Sequence, residues 1–395
     1  VNIDFLYGLV PLSFWGYVLV AFLSVEFTFM AITLYLHRDA CHRSLNLHPI
    51  LRHIFRFWLW AGTTMLTKSW VAVHRKHHAR CETADDPHSP QILGIKKVLL
   101  EGAELYGVQA RNPETLEKFG RGTPDDWIER NLYSKYQYLG VTLYVIACLV
   151  LFGVPGIIIL SVQLIATPLM AAGIVNGIGH YWGYRNFECP DAARNISPWG
   201  LLIGGEELHN NHHAFPSSAK FSIMPWEFDI GWLYIKVFSA LGLAQVIRIA
   251  PQPLRQQHRP VDLDTVQAVV INRMHVLRDY SLNVMLPVLR AQIGSVSSQL
   301  AQGARKLFVR EPAILNDASR RRLSELLASN QELKTVHDFR DRLKLLWGGA
   351  HQSNDSMLQY MRDWIAQAEA SGIKALADYA ATLRGYAMQP AKRTA

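Results

Sequence analysis

Cysteine is scarce in this chain: Cys41, Cys81, Cys148 and Cys189 are four of 395 residues, and none forms a CxxC pair. That excludes a disulfide-stapled secreted scaffold and a cysteine-held zinc or iron–sulfur site, and it points to a reducing compartment. No Gly-rich dinucleotide fingerprint is present, so no nucleotide-cofactor domain of that type is expected. The first ten residues hold no Lys or Arg, and the apolar run after them has no small-residue cleavage site. That run therefore reads as a retained anchor and not a removed signal.

Half of the residues are apolar, 11 are tryptophan, and the net charge is +8. An excess of positive charge favours anionic partners such as phospholipid headgroups, a phosphorylated cofactor or nucleic acid. The apolar residues concentrate before about residue 250; the rest is polar and helix-forming. Residues 11–36 suit a first membrane span, opened by Pro11 and carrying one ionisable residue, Glu26. Residues 50–73 are interrupted by Arg52, Arg56 and Lys68, and read as an interfacial or re-entrant helix. Residues 138–152 and 157–179 suit two more spans joined by a "GVPG" turn. The Lys/Arg-rich loop 38–135 places the polar side in the cytoplasm, giving three spans, with four as the competing topology. Residues 231–250 read as an amphipathic surface helix. The expected division is a membrane domain over 1–250, a linker over 251–263 and a C-terminal cytosolic helical region over 264–395 with a scaffold or docking role.

Four clusters carry the chemistry: "HRDACH" (His37, His42), "HRKHH" (His74, His77, His78), "NGIGH" (Asn176, His180) and "HNNHH" (His209, His212, His213). Helix positions i, i+3 and i+4 share a face, so the three histidines of each HxxHH converge if their segment is helical, and Asn176 lies one turn from His180. His37 and His42, five apart, do not share an α-helical face and fit a helix end. Imidazole suits iron, zinc, copper or nickel. The set exceeds one ion's needs and could serve two. Structural zinc fits poorly and two irons fit better, although spacing alone does not choose the metal. His48, His53, His88, His258, His275 and His351 read as interface or surface residues, and Cys41 and Cys81 as packing residues. Glu82, Asp85, Asp86, Glu206 and Glu207 are candidates to orient ligand imidazoles. Phe29, Met30 and Thr33 are candidates to line the far end of an apolar tunnel. Arg75, Lys76, Arg80, Lys96, Lys97 and Arg185 are candidates to receive phosphates.

These boxes resemble those of the membrane acyl desaturases of the stearoyl-CoA type. "HRDACHR", "WVAVHRKHHARCETADDPHSP", "NGIGHYWGYR" and "GGEELHNNHHAFP" match in order and spacing, and "LGLA" follows; the resemblance covers roughly residues 37–250. It implies an all-α integral membrane protein: a bundle of spanning helices with a cytosolic diiron cap. It implies His37, His42, His74, His77, His78, His180, His209, His212 and His213 as iron ligands, with Asn176 acting through a bound water. It implies O2-dependent Δ9 desaturation of a fatty acyl-CoA or acyl-lipid. Only one span precedes the first box, and the polar C-terminal region has no counterpart in the family. Both departures suggest a bacterial branch, hence the bacterial inner membrane with the site facing the cytoplasm. With no CxxC, dinucleotide fingerprint or HPGG segment of a fused cytochrome b5, electrons are expected from a separate NAD(P)H-linked reductase or ferredoxin-type donor. A diiron membrane hydroxylase is the nearest alternative and a histidine-rich metal transporter a more distant one; no nucleic-acid partner is expected.

Overall fold

The computed structural model describes residues 4–256, 260–349 and 353–389. His258 and His351 lie outside the described residues. The chain divides into two compact units: residues 1–185 with 191–250, and residues 186–190 with 251–395.

In the first unit, α1 (Phe14–Ala31) starts at Ser13, whose side chain accepts the Gly16 N–H. It continues without a break into a wide-turn segment, Ile32–Cys41. There the His42 N–H reaches the His37 carbonyl, five residues back, at 3.0 Å. Such π turns are rare and concentrate at functional sites. Expected as one helix, residues 50–73 form two: α2 (Pro49–Thr63) and α3 (Thr67–Arg80). Thr64 sits in the left-handed region at φ 62°, which no helix interior accommodates. Two of the three charges that interrupt this stretch are paired within the protein: Arg52 with Asp39 at 2.6 Å, and Arg56 with Asp126 at 2.6 Å and Glu129 at 2.9 Å.

Helices α4 (Ile95–Ala110) and α5 (Pro113–Phe119) follow, then α6 (Leu139–Phe152) and α7 (Val154–Pro168). Gly153 makes the turn between the last two at φ 62°, where a Cβ would strike the Leu6 carbonyl. Pro168 lacks the N–H that would bond Leu164, and beyond it α7 widens into a second π segment, Leu169–Val175. Among the described residues, two helical stretches are long and apolar enough to cross a membrane, Phe14–Cys41 and Val154–His180. The expected third span, α6, has 14 residues, fewer than the roughly 17 a perpendicular span needs. Large apolar side chains on these helices stay open, among them Trp15 (75% exposed) and Ile165 (66%), as lipid-facing side chains would be.

Helix α8 (His209–Ala214) carries the last histidine box, and α9 (Ile230–Ala240) opens the stretch expected as one amphipathic helix. Gly242 at φ 72° follows the end of α9, and Ala244–Val246 pairs antiparallel with Leu45–Leu47 instead. The first unit is thus helical with minor strands.

The second unit is a helical bundle with its own apolar core, built around Trp364, Tyr280, Tyr379, Phe308 and Leu326. Its helices include Leu263–Ile271, Asp317–Ser329, Gln331–Lys344, Asn354–Glu369 and Lys374–Arg384. Leu254–Arg255 pairs with Tyr386–Ala387, so part of the stretch read as a linker is a strand of this unit.

Candidate metal centre

The α3 helix brings His74, His77 and His78 to one face, as their spacing requires. Around them the structure gathers two groups. His37, His42, His74, His78 and His212 form the first, and their ligand-capable atoms all lie within 4.8 Å of one another. Their Nε2 atoms meet at short range: His37–His212 3.0 Å, His42–His74 3.1 Å, His74–His78 3.0 Å and His78–His212 2.9 Å. The π turn explains why residues five apart cooperate here. It brings the His37 and His42 rings together, tilted at 59° with centroids 4.9 Å apart, where an α-helix would splay them. The second group joins His77, Cys81, His180 and His213. His209 adjoins it through His180, Nε2 to Nε2 at 2.9 Å. Asn176 lines the adjoining cavity together with His209, where α7's π segment gives way to the turn before His180.

Four carboxylates hold the outer nitrogens. Glu206 meets His37 Nδ1 at 2.8 Å, Asp86 meets His77 Nδ1 at 3.0 Å, Glu82 meets His180 Nδ1 at 2.9 Å and Asp191 meets His213 Nδ1 at 3.1 Å. Asp191 escaped the sequence reading because it sits in "ECPDA", far from any box and at no helical spacing from one. Asp85 is exposed, and Glu207 takes the Leu202 and Ile203 N–H groups, so neither touches a histidine ring. His88, expected near the surface, is 4% exposed, its ring 4.5 Å from that of His77. Asp86 turns the chain there by accepting the His88 N–H. Cys81 also exceeds a packing role, with Sγ 3.5 Å from His77 Nε2. His48 and His53 are exposed and His275 half-buried.

Burial, then mutual repulsion, pushes His42, His74, His78, His88, His209, His212 and His213 well below the usual histidine range. They are neutral and keep a lone pair. Burial also opposes charge on His77, but Asp86 outweighs it and raises that ring. Burial likewise works against ionising Asp86 and Glu206, yet His77 and His37 respectively pull them below the usual carboxylate range.

The donor set fits a metal. In neutral rings, the carboxylates fix the proton on Nδ1 of His77 and His180. Their Nε2 atoms then point toward each other at 3.2 Å, the spacing of two ligands directed at one ion. With N–metal bonds of about 2.1 Å, neighbouring ligands at right angles stand about 3.0 Å apart and tetrahedral ones about 3.4 Å. The Nε2–Nε2 separations of 2.9–3.2 Å are of the size that ligands of one ion require.

Arg38, the second residue of the first box, is fully buried. It pairs with Asp229 at 3.1 Å, covers the Phe221 ring at 3.8 Å and bonds Thr33. It thereby pins the α9 cap and the loop after α8 beneath the histidines. Arg75 donates to the carbonyls of Ala40, Cys41, Phe119 and Arg121, and Arg185 to those of Asp191 and Ala193. Lys76 bonds Gln109 and Thr115. These three candidates for phosphate contact are committed to the scaffold, while Arg80, Lys96 and Lys97 are exposed.

A cavity of about 640 Å³ opens beside the histidines, lined by His37, His74, His88 and His209 at one end and by Ile32, Trp70, Ala172 and Thr167 along its length. Phe29 lines it; Met30 does not, and Thr33 instead holds Glu206 at 2.7 Å.

Fold and site together define a helical protein whose buried, carboxylate-braced histidine cluster faces an apolar cavity between membrane-length helices. The fatty acid desaturase family profile matches residues 12–227, and the chain belongs to that family. It is 28% identical over 261 residues to "Delta-9 acyl-lipid desaturase 1" of Arabidopsis thaliana, covering 65% of this chain and 83% of the relative. It is 31% identical over 231 residues to "sn-1 stearoyl-lipid 9-desaturase" of Synechocystis sp., covering 56% and 69%. A probable chloroplastic lipid desaturase of Arabidopsis thaliana is 31% identical over 229 residues, covering 56% of this chain and 60% of that protein's length. A second profile, described as a transposase, matches residues 265–389.

Proposed function

We propose that the chain is an O2-dependent acyl-lipid desaturase that inserts a cis double bond at Δ9 of a saturated fatty acyl chain. The reaction consumes the acyl chain, O2, two electrons and two protons, and yields the olefin and two waters. The observation that carries it is the convergence of histidine groups, the ligand-capable atoms of each within 4.8 Å of one another, beside an acyl-sized apolar cavity. In this reading His37, His42, His74, His78 and His212 hold one iron. His77, His180, His209 and His213 hold the other, with Asn176 acting through a bound water. Bound iron supplies O2 activation and the power to remove hydrogen from unactivated methylenes.

The chain's own residues do the rest. Glu206, Asp86, Glu82 and Asp191 keep the Nδ1 proton in place and the Nε2 lone pair inward. The apolar cavity wall excludes water from the methylenes and aligns one carbon pair with the histidine end. The similarity to acyl-lipid and stearoyl-lipid desaturases favours an acyl-lipid over an acyl-CoA. So does the commitment of Arg75, Lys76 and Arg185 to internal bonds. Membrane residence with the histidines on the cytoplasmic side, and electrons from a separate NAD(P)H-linked reductase or ferredoxin-type donor, complete the proposal.

The test is to express the full chain in cells that make no unsaturated lipids and to locate any new double bond by mass spectrometry. A 9,10-olefin is expected. An alcohol would favour a diiron hydroxylase, and unaltered lipids under O2 with a reductase present would overturn the proposal.

A further inference from the structure

Thirteen residues before Asn176 on the same helical run, an amide lines the cavity where an acyl chain would meet hydrocarbon. Gln163, on α7, is fully buried and lines the cavity beside Gly62, Thr63, Leu164 and Thr167. Its Nε2 donates to the Gly62 carbonyl at 3.1 Å. Its Oε1 accepts from Ser24 on α1, and from the Tyr144 hydroxyl on α6 at 3.2 Å. Ser24 and Tyr144 bond each other at 2.9 Å. Four helices thus meet at one side chain. Neither Ser24 nor Tyr144 touches the cavity, so they back the amide from behind. No residue of α1 before Phe29, and none of α7 before Gln163, lines the cavity among the described residues. At about 1.5 Å per residue, Gln163 lies no more than roughly 20 Å along the helix from Asn176 at the histidine end. Gly62 is required where it is, because a Cβ there would strike the Gln163 amide.

We propose that the Gln163 amide is the floor of the acyl site: the methyl end of the substrate stops against it, and it sets the longest chain accepted. An amide with three satisfied bonds makes a firm floor. A chain pressing past it must break bonds that the surrounding hydrocarbon cannot replace. Because Gly62 carries no Cβ, the amide seats against its carbonyl, and the stop is fixed by the volume of one side chain. This rests on the desaturase reading above.

The test uses the full chain and its Gln163→Leu, Gln163→Asn and Gln163→Ala variants, in cells fed saturated acyl chains of stepped length. Metal per chain is measured alongside the products. Gln163→Leu should keep the wild-type ceiling, and Gln163→Ala should shift the longest chain converted upward by at least one even-numbered step. Gln163→Asn should fall between them while still converting shorter chains. An unchanged ceiling across variants that retain metal would overturn the inference. So would loss of metal and product in all three, which would make Gln163 only a cap for the Gly62 carbonyl. A wild-type chain that forms no olefin would instead sink the desaturase reading itself.

Discussion

Replacing Asp86 by Asn changes one atom and removes one charge, yet it should cost the centre much of its hold on metal. Asp86 does three jobs at once. Oδ1 meets His77 Nδ1 at 3.0 Å and the His88 N–H at 3.1 Å, and Oδ2 accepts the Glu82 N–H at 2.9 Å. An amide has one acceptor oxygen, so in either orientation its NH2 faces a donor. A hydrogen bond to a charged group contributes about 1.5–3 kcal/mol. Losing a partner that orients a metal ligand typically weakens binding 10–100-fold, or about 1.4–2.7 kcal/mol. The two estimates agree. Competition against a chelator on the solubilised full chain should therefore show Asp86→Asn binding metal 10–100-fold more weakly. Asp85→Asn, at the exposed neighbour, should match wild type. Wild-type affinity in Asp86→Asn would refute the idea that carboxylates aim the histidines.

Other perturbations reach different parts of the structure. His77→Ala or His212→Ala should abolish desaturation and reduce bound metal while the protein still inserts, checked by metal content and lipid analysis. Arg38→Met leaves Asp229 buried without its partner and should destabilise the first unit by about 3–5 kcal/mol, read from chemical unfolding. The metal-free protein should lose stability as pH falls below about 6.5. The seven buried neutral histidines take up protons there only in the unfolded state, so the unfolded state is favoured as pH drops. An unfolding midpoint that does not move between about pH 8 and about pH 5.5 would contradict this.

What the sequence disclosed follows the regularity of the backbone. His74, His77 and His78 could be read because an α-helix repeats every 3.6 residues, and α3 is regular there. His37 and His42 could not be paired by the same rule, because the segment carrying them winds with five-residue hydrogen bonds. Thr64 and Gly242 broke helices that composition alone made continuous. Asp191 and His88 were missed or misplaced because each is brought in by a loop, and loop paths leave no periodic trace. Arg75 was a candidate to receive phosphates, yet it donates to the carbonyls of Ala40, Cys41, Phe119 and Arg121, which come from distant stretches of chain. In the second unit, apolar periodicity sufficed to foretell helices, and its buried apolar residues form their own core.

The most direct measurement is the metal content of the intact, freshly isolated protein. Two iron atoms per chain, falling to one or fewer in His212→Ala, is the result that the paired histidine groups predict. Fewer than one transition-metal atom per wild-type chain, from protein that still forms olefin, would contradict it.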